Sequence, residues 1–67
     1  MVDLTIKVVA LPGGEAYLKR SATDRIRVYV ISITRRGTHN YYEIDFMEDG
    51  AYEHYHEIRE IYLTPIE

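Results

Sequence analysis

Two histidines stand two residues apart near the C-terminal end of the chain, in the run EHYHE at positions 53–57. Residues two apart on a β-strand point to the same face, so the imidazoles of His54 and His56 could both reach one metal ion. His39, in a predicted loop, is a candidate third ligand. The interpretation that we prefer is a solvated polar sheet face, because two histidines without a spaced third ligand are common. The sequence therefore requires no metal and no other cofactor.

Arginines are concentrated in the middle third of the chain. Arginine beside tyrosine is suited to phosphate contact and base stacking. A nucleic-acid-binding strip of this kind would consist of Arg25, Arg27, Arg35, Arg36 and Tyr29. The competing interpretation is ion pairing with the many acids of the C-terminal half, and the net charge of −3 argues against a surface dedicated to duplex DNA. Nucleic-acid binding is therefore the second hypothesis.

Tyrosine accounts for seven aromatic residues, beside one phenylalanine and no tryptophan. A 67-residue chain cannot bury them all, and a tyrosine near the surface offers an apolar ring with a polar tip to a partner. We expect Tyr41, Tyr52, Tyr55 and Arg27 to contact a protein partner, with a second copy of the chain as one candidate. Cross-strand packing in an outer layer is the competing interpretation.

No set of residues for catalysis is recognisable. The chain has no cysteine, its serines lack a nucleophile motif, and Gly13-Gly14 is too short for a phosphate-binding loop. We therefore expect a binding protein and not an enzyme. The sequence shows no signal peptide, and its longest apolar run, 8–12, is far shorter than the roughly 20 residues of a membrane span. We expect a cytoplasmic protein without membrane contact.

These side chains must be positioned by β-strands, because apolar and polar residues alternate along most of the chain. The predicted strands are 2–11, 25–35, 41–47, 51–57 and a short one within 58–66 that ends at Pro65. Segment 15–20 is open between a short strand and one helical turn. In the second strand the apolar parity changes, which predicts a bulge near Val30-Ile31 or burial of both faces.

A hairpin is predicted at Asp49-Gly50, because an Asp-Gly pair readily adopts the positive φ angles of a two-residue turn. In the strand before it, Tyr42, Ile44 and Phe46 are expected to point inward and the alternate residues outward. The rival interpretation is a helix over 52–63, where apolar residues recur at spacings of three and four. We favour the strand because the hairpin signal lies directly upstream.

The segments 24–28 (DRIRV) and 42–46 (YEIDF), followed by Asp49-Gly50 and a last strand ending in Leu-Thr-Pro, resemble an SH3-like small β-barrel of the Tudor-like or phage-encoded kind. The resemblance covers roughly residues 20 to 65. It implies an all-β fold of four to five short antiparallel strands in one domain, 1–67. It also implies a non-catalytic module that binds peptides, modified side chains or nucleic acid, such as a virus or prophage accessory protein.

Overall fold

The computed structural model describes residues 8–66, and in this range the protein is all-β, as predicted. The elements are β1 Glu15–Lys19, β2 Arg25–Arg36, β3 His39–Glu48, β4 Ala51–Arg59 and β5 Leu63–Pro65, with a 3-10 turn at Glu60–Tyr62 before β5. The five strands form one antiparallel sheet in the order β4-β3-β2-β1-β5. This arrangement is compatible with a small barrel-like fold. Within residues 8–66, no helix reaches the length and apolarity needed to span a bilayer.

Where the sequence left strand and helix as alternatives, the structure has a strand. Segment 15–20 forms β1, and β4 continues to Arg59, so the rival helix over 52–63 is wrong apart from the single 3-10 turn. The Asp49-Gly50 hairpin is confirmed, since both residues have positive φ. A turn of this type matches the twist of the strands that it joins, which explains why the strand pattern prevails over the helical spacing.

The predicted first strand requires a correction. Its residues 2–7 lie outside the described residues, and residues 8–11 are not in a strand. The Val9 N–H donates to the Tyr42 hydroxyl at 3.0 Å instead of to a neighbouring strand. The Gly14 N–H donates back to the Leu11 carbonyl at 2.8 Å, so the chain turns here, and Gly13 and Gly14 then exchange main-chain hydrogen bonds with Val30.

Two bulges interrupt the ladders on either side of Glu43. On β2, Val30 pairs with Ile44 and Ser32 with Glu43, which leaves Ile31 as the extra residue and confirms the predicted bulge. On β4, Tyr55 pairs with Ile44 and Ile58 with Tyr42, so two residues, 56 and 57, oppose Glu43. A bulge bends its strand and changes the direction of nearby side chains.

The core lies on one face of the sheet, which we call the inner face. Its buried apolar residues are Ala16, Leu18, Val28, Val30, Tyr42, Ile44, Phe46 and Leu63. The inward set predicted for β3 is therefore confirmed. The buried polar groups are also satisfied: the Tyr42 hydroxyl donates to the Glu60 carboxylate, and the Asn40 amide donates to the same carboxylate at 3.2 Å.

Candidate functional site

The opposite face of the sheet, which we call the outer face, carries most of the candidate binding residues. Strand register places on it the side chains of Glu15, Tyr17, Arg25, Arg27, Tyr29, Tyr41, Glu43, Asp45, Met47, Tyr52 and His54. Two arrangements stand out on this face, an apolar groove at one end and a cluster of histidines and carboxylates beside it.

The groove has a volume of about 360 Å³ and crosses four strands, from Glu15 on β1 to Tyr52 on β4. Its lining residues are Glu15, Arg27, Tyr29, Phe46, Met47 and Tyr52. Phe46 belongs to the core, but Tyr29, Met47 and Tyr52 are 58%, 60% and 65% exposed. Three large apolar side chains are therefore grouped in a concave surface that faces solvent, at the small end of the size range of ligand sites.

The charge around the groove is unevenly distributed. Arg27 and Glu15 face each other within it, with Nε and Oε1 3.8 Å apart, and largely neutralise one another. The β3–β4 hairpin that supplies the rest of the groove is strongly acidic. Residues 40–58 contain six carboxylates and neither lysine nor arginine. Two of the six are paired with arginines from outside this segment, Glu48 with Arg20 and Glu57 with Arg36. The remaining carboxylates give this side of the groove an excess of negative charge.

The histidine cluster consists of Glu43, Asp45, His54 and His56, on the neighbouring strands β3 and β4. The ring of His54 lies between two carboxylates: Nδ1 is hydrogen-bonded to Asp45, and Nε2 is 2.7 Å from Glu43 Oε2. His56 Nδ1 is 3.8 Å from the same Glu43 oxygen, and the two imidazole rings are 4.6 Å apart. The Tyr52 hydroxyl donates to Asp45, which connects the cluster to the groove.

The cluster also shifts the proton affinities of its members. The pKa of Glu43 is lowered, first by the hydrogen bond that the Ser32 hydroxyl donates to Oε1 at 2.9 Å, and then by the bond with His54. Burial is the largest single effect on His54 and lowers its pKa, but the hydrogen bonds to Asp45 and Glu43 together outweigh it, so that the net pKa is raised. The imidazolium form of His54 is therefore favoured by its two carboxylate neighbours.

The four residues expected to form one protein-contact surface lie in three places. Tyr52 and Arg27 line the groove. Tyr41 lies on the outer face at the far end of β3, with the Arg36 guanidinium 4.9 Å from its ring centre. Tyr55 lies on the inner side and packs edge-on against Phe46, with ring centres 5.3 Å apart. Tyr52 and Tyr55 are three residues apart on one strand, so alternation alone places them on opposite faces.

The arginine strip is also divided. Arg25, Arg27 and Tyr29 share the outer face, and the Arg25 guanidinium stacks 4.1 Å from the ring centre of Tyr17. The bulge at Ile31 then reverses the parity of β2, so Arg35 pairs with the inward-facing Asn40 and donates to its side chain at 3.3 Å. Arg36 returns to the outer face at the far end of the strand, where it is paired with Glu57.

The residue that lies beside both His54 and His56 is Glu43, and not His39 as the sequence suggested. His39 opens β3, where it pairs with Arg36, and Glu43 occupies the position beside His54 and His56. Counting outward from the two-residue turn at Asp49-Gly50 pairs Met47 with Tyr52 and Asp45 with His54, as observed. Such a count predicts from the sequence which residues of β3 and β4 meet in the groove and in the cluster.

Comparisons of the chain with protein-family models, with curated proteins and with solved structures found no match.

Proposed function

We propose that this domain is a non-catalytic binding module, SH3-like in fold, that captures a segment of another protein in the outer-face groove. The observation that carries the proposal is the grouping of Tyr29, Met47 and Tyr52, each more than half exposed, in one groove. Single exposed apolar residues are ordinary, but a contiguous concave group marks an interaction site. The bulged β2, the Asp-Gly hairpin and the short last strand support the SH3-like part of the proposal.

The proposed occupant is an apolar side chain flanked by lysine or arginine. The exposed rings and thioether of the groove favour an apolar group, since its transfer from water is the main favourable term in such contacts. The basic flank follows from the hairpin, whose six carboxylates outnumber the two arginines that pair with them, Arg20 and Arg36. Opposite charges guide the encounter and fix the register of the bound segment.

The open edge of β4 gives the bound segment a second means of attachment. β4 is nine residues long, and no other strand of the described range pairs with its outer edge. An extended segment can add to such an edge through main-chain hydrogen bonds, while its alternate side chains give specificity. Tyr52 lies on β4, so a segment held along this edge lies next to the groove.

The second hypothesis, nucleic-acid binding, has less support from the observed geometry. Only Arg25, Arg27 and Tyr29 of the predicted strip share one end of the outer face. Arg36 is paired with Glu57, and Arg35 faces Asn40. Of the predicted strip, a phosphate backbone would meet two arginines here, Arg25 and Arg27, where tight binding generally needs more cations.

Selection from a library of short random peptides tests the proposal. We expect the wild-type protein to enrich peptides with one large apolar residue beside lysine or arginine. Tyr29→Ser and Met47→Ser should each weaken binding of an enriched peptide at least tenfold, because truncating the centre of an interface removes most of its energy. Tyr62→Ser is the matched control, since this tyrosine is 47% exposed in the 3-10 turn, and it should bind as the wild type does.

Three outcomes would contradict the proposal. One is enrichment of peptides that bind the groove variants and the wild type equally. Another is tight binding of single-stranded oligonucleotides that weakens steeply with salt, which would favour the second hypothesis. The third is a concentration-dependent dimer in sedimentation experiments that Met47→Ser abolishes, which would identify a second copy of the chain as the occupant.

A further inference from the structure

We infer that Glu43, His54 and His56 form a binding site for one divalent transition-metal ion of the zinc class. One ligand atom from each of these residues lies within 4.8 Å of the others. The inference does not rely on the proposed function, although Tyr52 joins the site to the groove through its hydrogen bond to Asp45. Two imidazoles and one carboxylate are a donor set that zinc commonly uses, with a fourth position left to water.

The distances between the donor atoms are close to what a metal ion requires. A tetrahedral zinc ion with ligand bonds of about 2.0–2.1 Å separates its donor atoms by about 3.3 Å. Glu43 Oε2 is 3.8 Å from His56 Nδ1 and 2.7 Å from His54 Nε2. One of these distances is shorter and the other longer than the spacing in a zinc site, so small changes in both would bring the donor atoms to the positions that the ion requires.

The neighbours of the cluster hold the ligands in a metal-binding orientation. Asp45 accepts the hydrogen bond from His54 Nδ1, which leaves Nε2 facing Glu43. Metal-bound histidines characteristically donate their second ring N–H to a carboxylate or carbonyl, which fixes the tautomer and the ring. Ser32 in turn binds Glu43 Oε1 and leaves Oε2 for the ion. Asp45 and Ser32 are thus positioning residues and not ligands.

Both bulges of the sheet meet at this point. The β4 bulge sets residues 56 and 57 opposite Glu43, and the β2 bulge places Ser32 on its other side. Bulges often re-aim side chains next to functional sites. His54 lies between two carboxylates, and His56 approaches the same Glu43 oxygen.

The donor set predicts which ions bind. Imidazole nitrogen suits zinc, cobalt and nickel, whereas magnesium and calcium prefer six or more oxygen ligands. His56 is 79% exposed at its side chain, so an ion can enter directly from solvent. Because the bound ion would join β3 to β4, it should stabilise the folded state, which alone assembles the ligands.

Calorimetric titration of the full chain, freed of metal with a chelator, tests the site. We expect one zinc ion per chain, a visible absorption spectrum with cobalt, and no response to magnesium. At a zinc concentration 100 times the Kd, the melting temperature should rise by roughly 10–20 °C. Ring nitrogen shifts in NMR spectra of the wild type should show metal at Nε2 of His54 and Nδ1 of His56.

Four variants distinguish a built site from scattered surface binding. His56→Gln and Glu43→Gln should weaken zinc binding at least tenfold, and Asp45→Asn should weaken it roughly 10–100-fold by loss of ring orientation. His39→Gln is the matched control and should bind as the wild type does. The inference is wrong if zinc does not saturate at one ion, if the ligand variants bind as tightly as the wild type, or if the His39 variant loses binding. The NMR shifts decide the question even if a variant fails to fold.

Discussion

The two faces of β3 differ sharply although they alternate along one ten-residue strand. The inner face is built of Asn40, Tyr42, Ile44 and Phe46, all buried, and the outer face of Tyr41, Glu43, Asp45 and Met47, none of them buried. The first set packs against β1, β2 and β5, and the second set carries the ionisable and groove-lining groups. A sheet with one buried face can therefore derive its stability from that face and present its binding groups on the other.

The polar groups show the same division. On the inner face, the Tyr42 hydroxyl and the Asn40 amide both donate to the Glu60 carboxylate, and these hydrogen bonds are partly buried. On the outer face, the Glu43, Asp45 and His54 contacts are reached by solvent, so replacing one partner by water or a ligand costs little. We therefore expect the outer face to tolerate substitution of its polar groups better than the inner face does.

The largest change in stability is expected when a buried side chain is removed from the inner face. Ile44 is fully buried, so Ile44→Ala should lower the free energy of unfolding by about 2–5 kcal/mol, through lost transfer energy and a residual cavity. Met47→Ala on the outer face should change it by less than about 0.5 kcal/mol. Urea unfolding followed by circular dichroism measures both. Similar losses of unfolding free energy in the two variants would show that the two faces contribute equally to stability.

The next effect is a loss of stability at alkaline pH that originates on the inner face. Burial, and then the hydrogen bond donated to Glu60, raise the pKa of Tyr42 to about 12. In the unfolded chain a tyrosine releases its proton near pH 10, so the stabilisation is complete below that pH. It should be lost between pH 10 and about 12, by on the order of 2–3 kcal/mol.

Unfolding measured from pH 9 to 12 tests this window. Tyr42→Phe should flatten the fall in stability between pH 10 and 12, because no proton remains to be released. Tyr52 is the control on the outer face: the hydrogen bond to Asp45 raises its pKa, but its ring is exposed, and Tyr52→Phe should keep most of the wild-type slope. An unchanged slope in Tyr42→Phe would show that other groups cause the alkaline loss.

The sequence predicts the faces of β3 and the Asp49-Gly50 turn because these depend on local alternation and local turn chemistry. It also predicts the bulge near Ile31 from the change of apolar parity. The features that the sequence does not predict depend on pairing and contacts between strands. The reversal of Arg35 follows from the unpaired Ile31. The spacing of the histidines does not indicate that Glu43, and not His39, lies beside them; that requires the register counted from the Asp49-Gly50 turn. Residues 8–11, predicted as the end of the first strand, contact Tyr42, far along the chain.

A smaller effect is expected at the turn that keeps the two faces in register. Asp49 and Gly50 have φ of 54° and 78°, and a Cβ at Gly50 would meet no atom within 4 Å. The cost of Gly50→Ala is therefore conformational, about 1–2 kcal/mol. Asp49→Asn is the matched control and should be within about 0.5 kcal/mol of the wild type, since asparagine tolerates the left-handed region. Equal losses in both variants in urea unfolding would point to the Asp49 side chain instead of the backbone.

The smallest effect is expected from an ion pair of the outer face. Arg36 is paired with Glu57, and both side chains are about half exposed. A double-mutant cycle with Arg36→Gln and Glu57→Gln should give a coupling of about 0.2–1 kcal/mol, because water screens the charges and ordering two long side chains costs entropy. The coupling should vanish in 1 M salt, where the screening length is about 3 Å. A coupling above about 2 kcal/mol, or one that persists in salt, would mean that the outer face also holds the fold together, and the division between stability and chemistry would not apply to this protein.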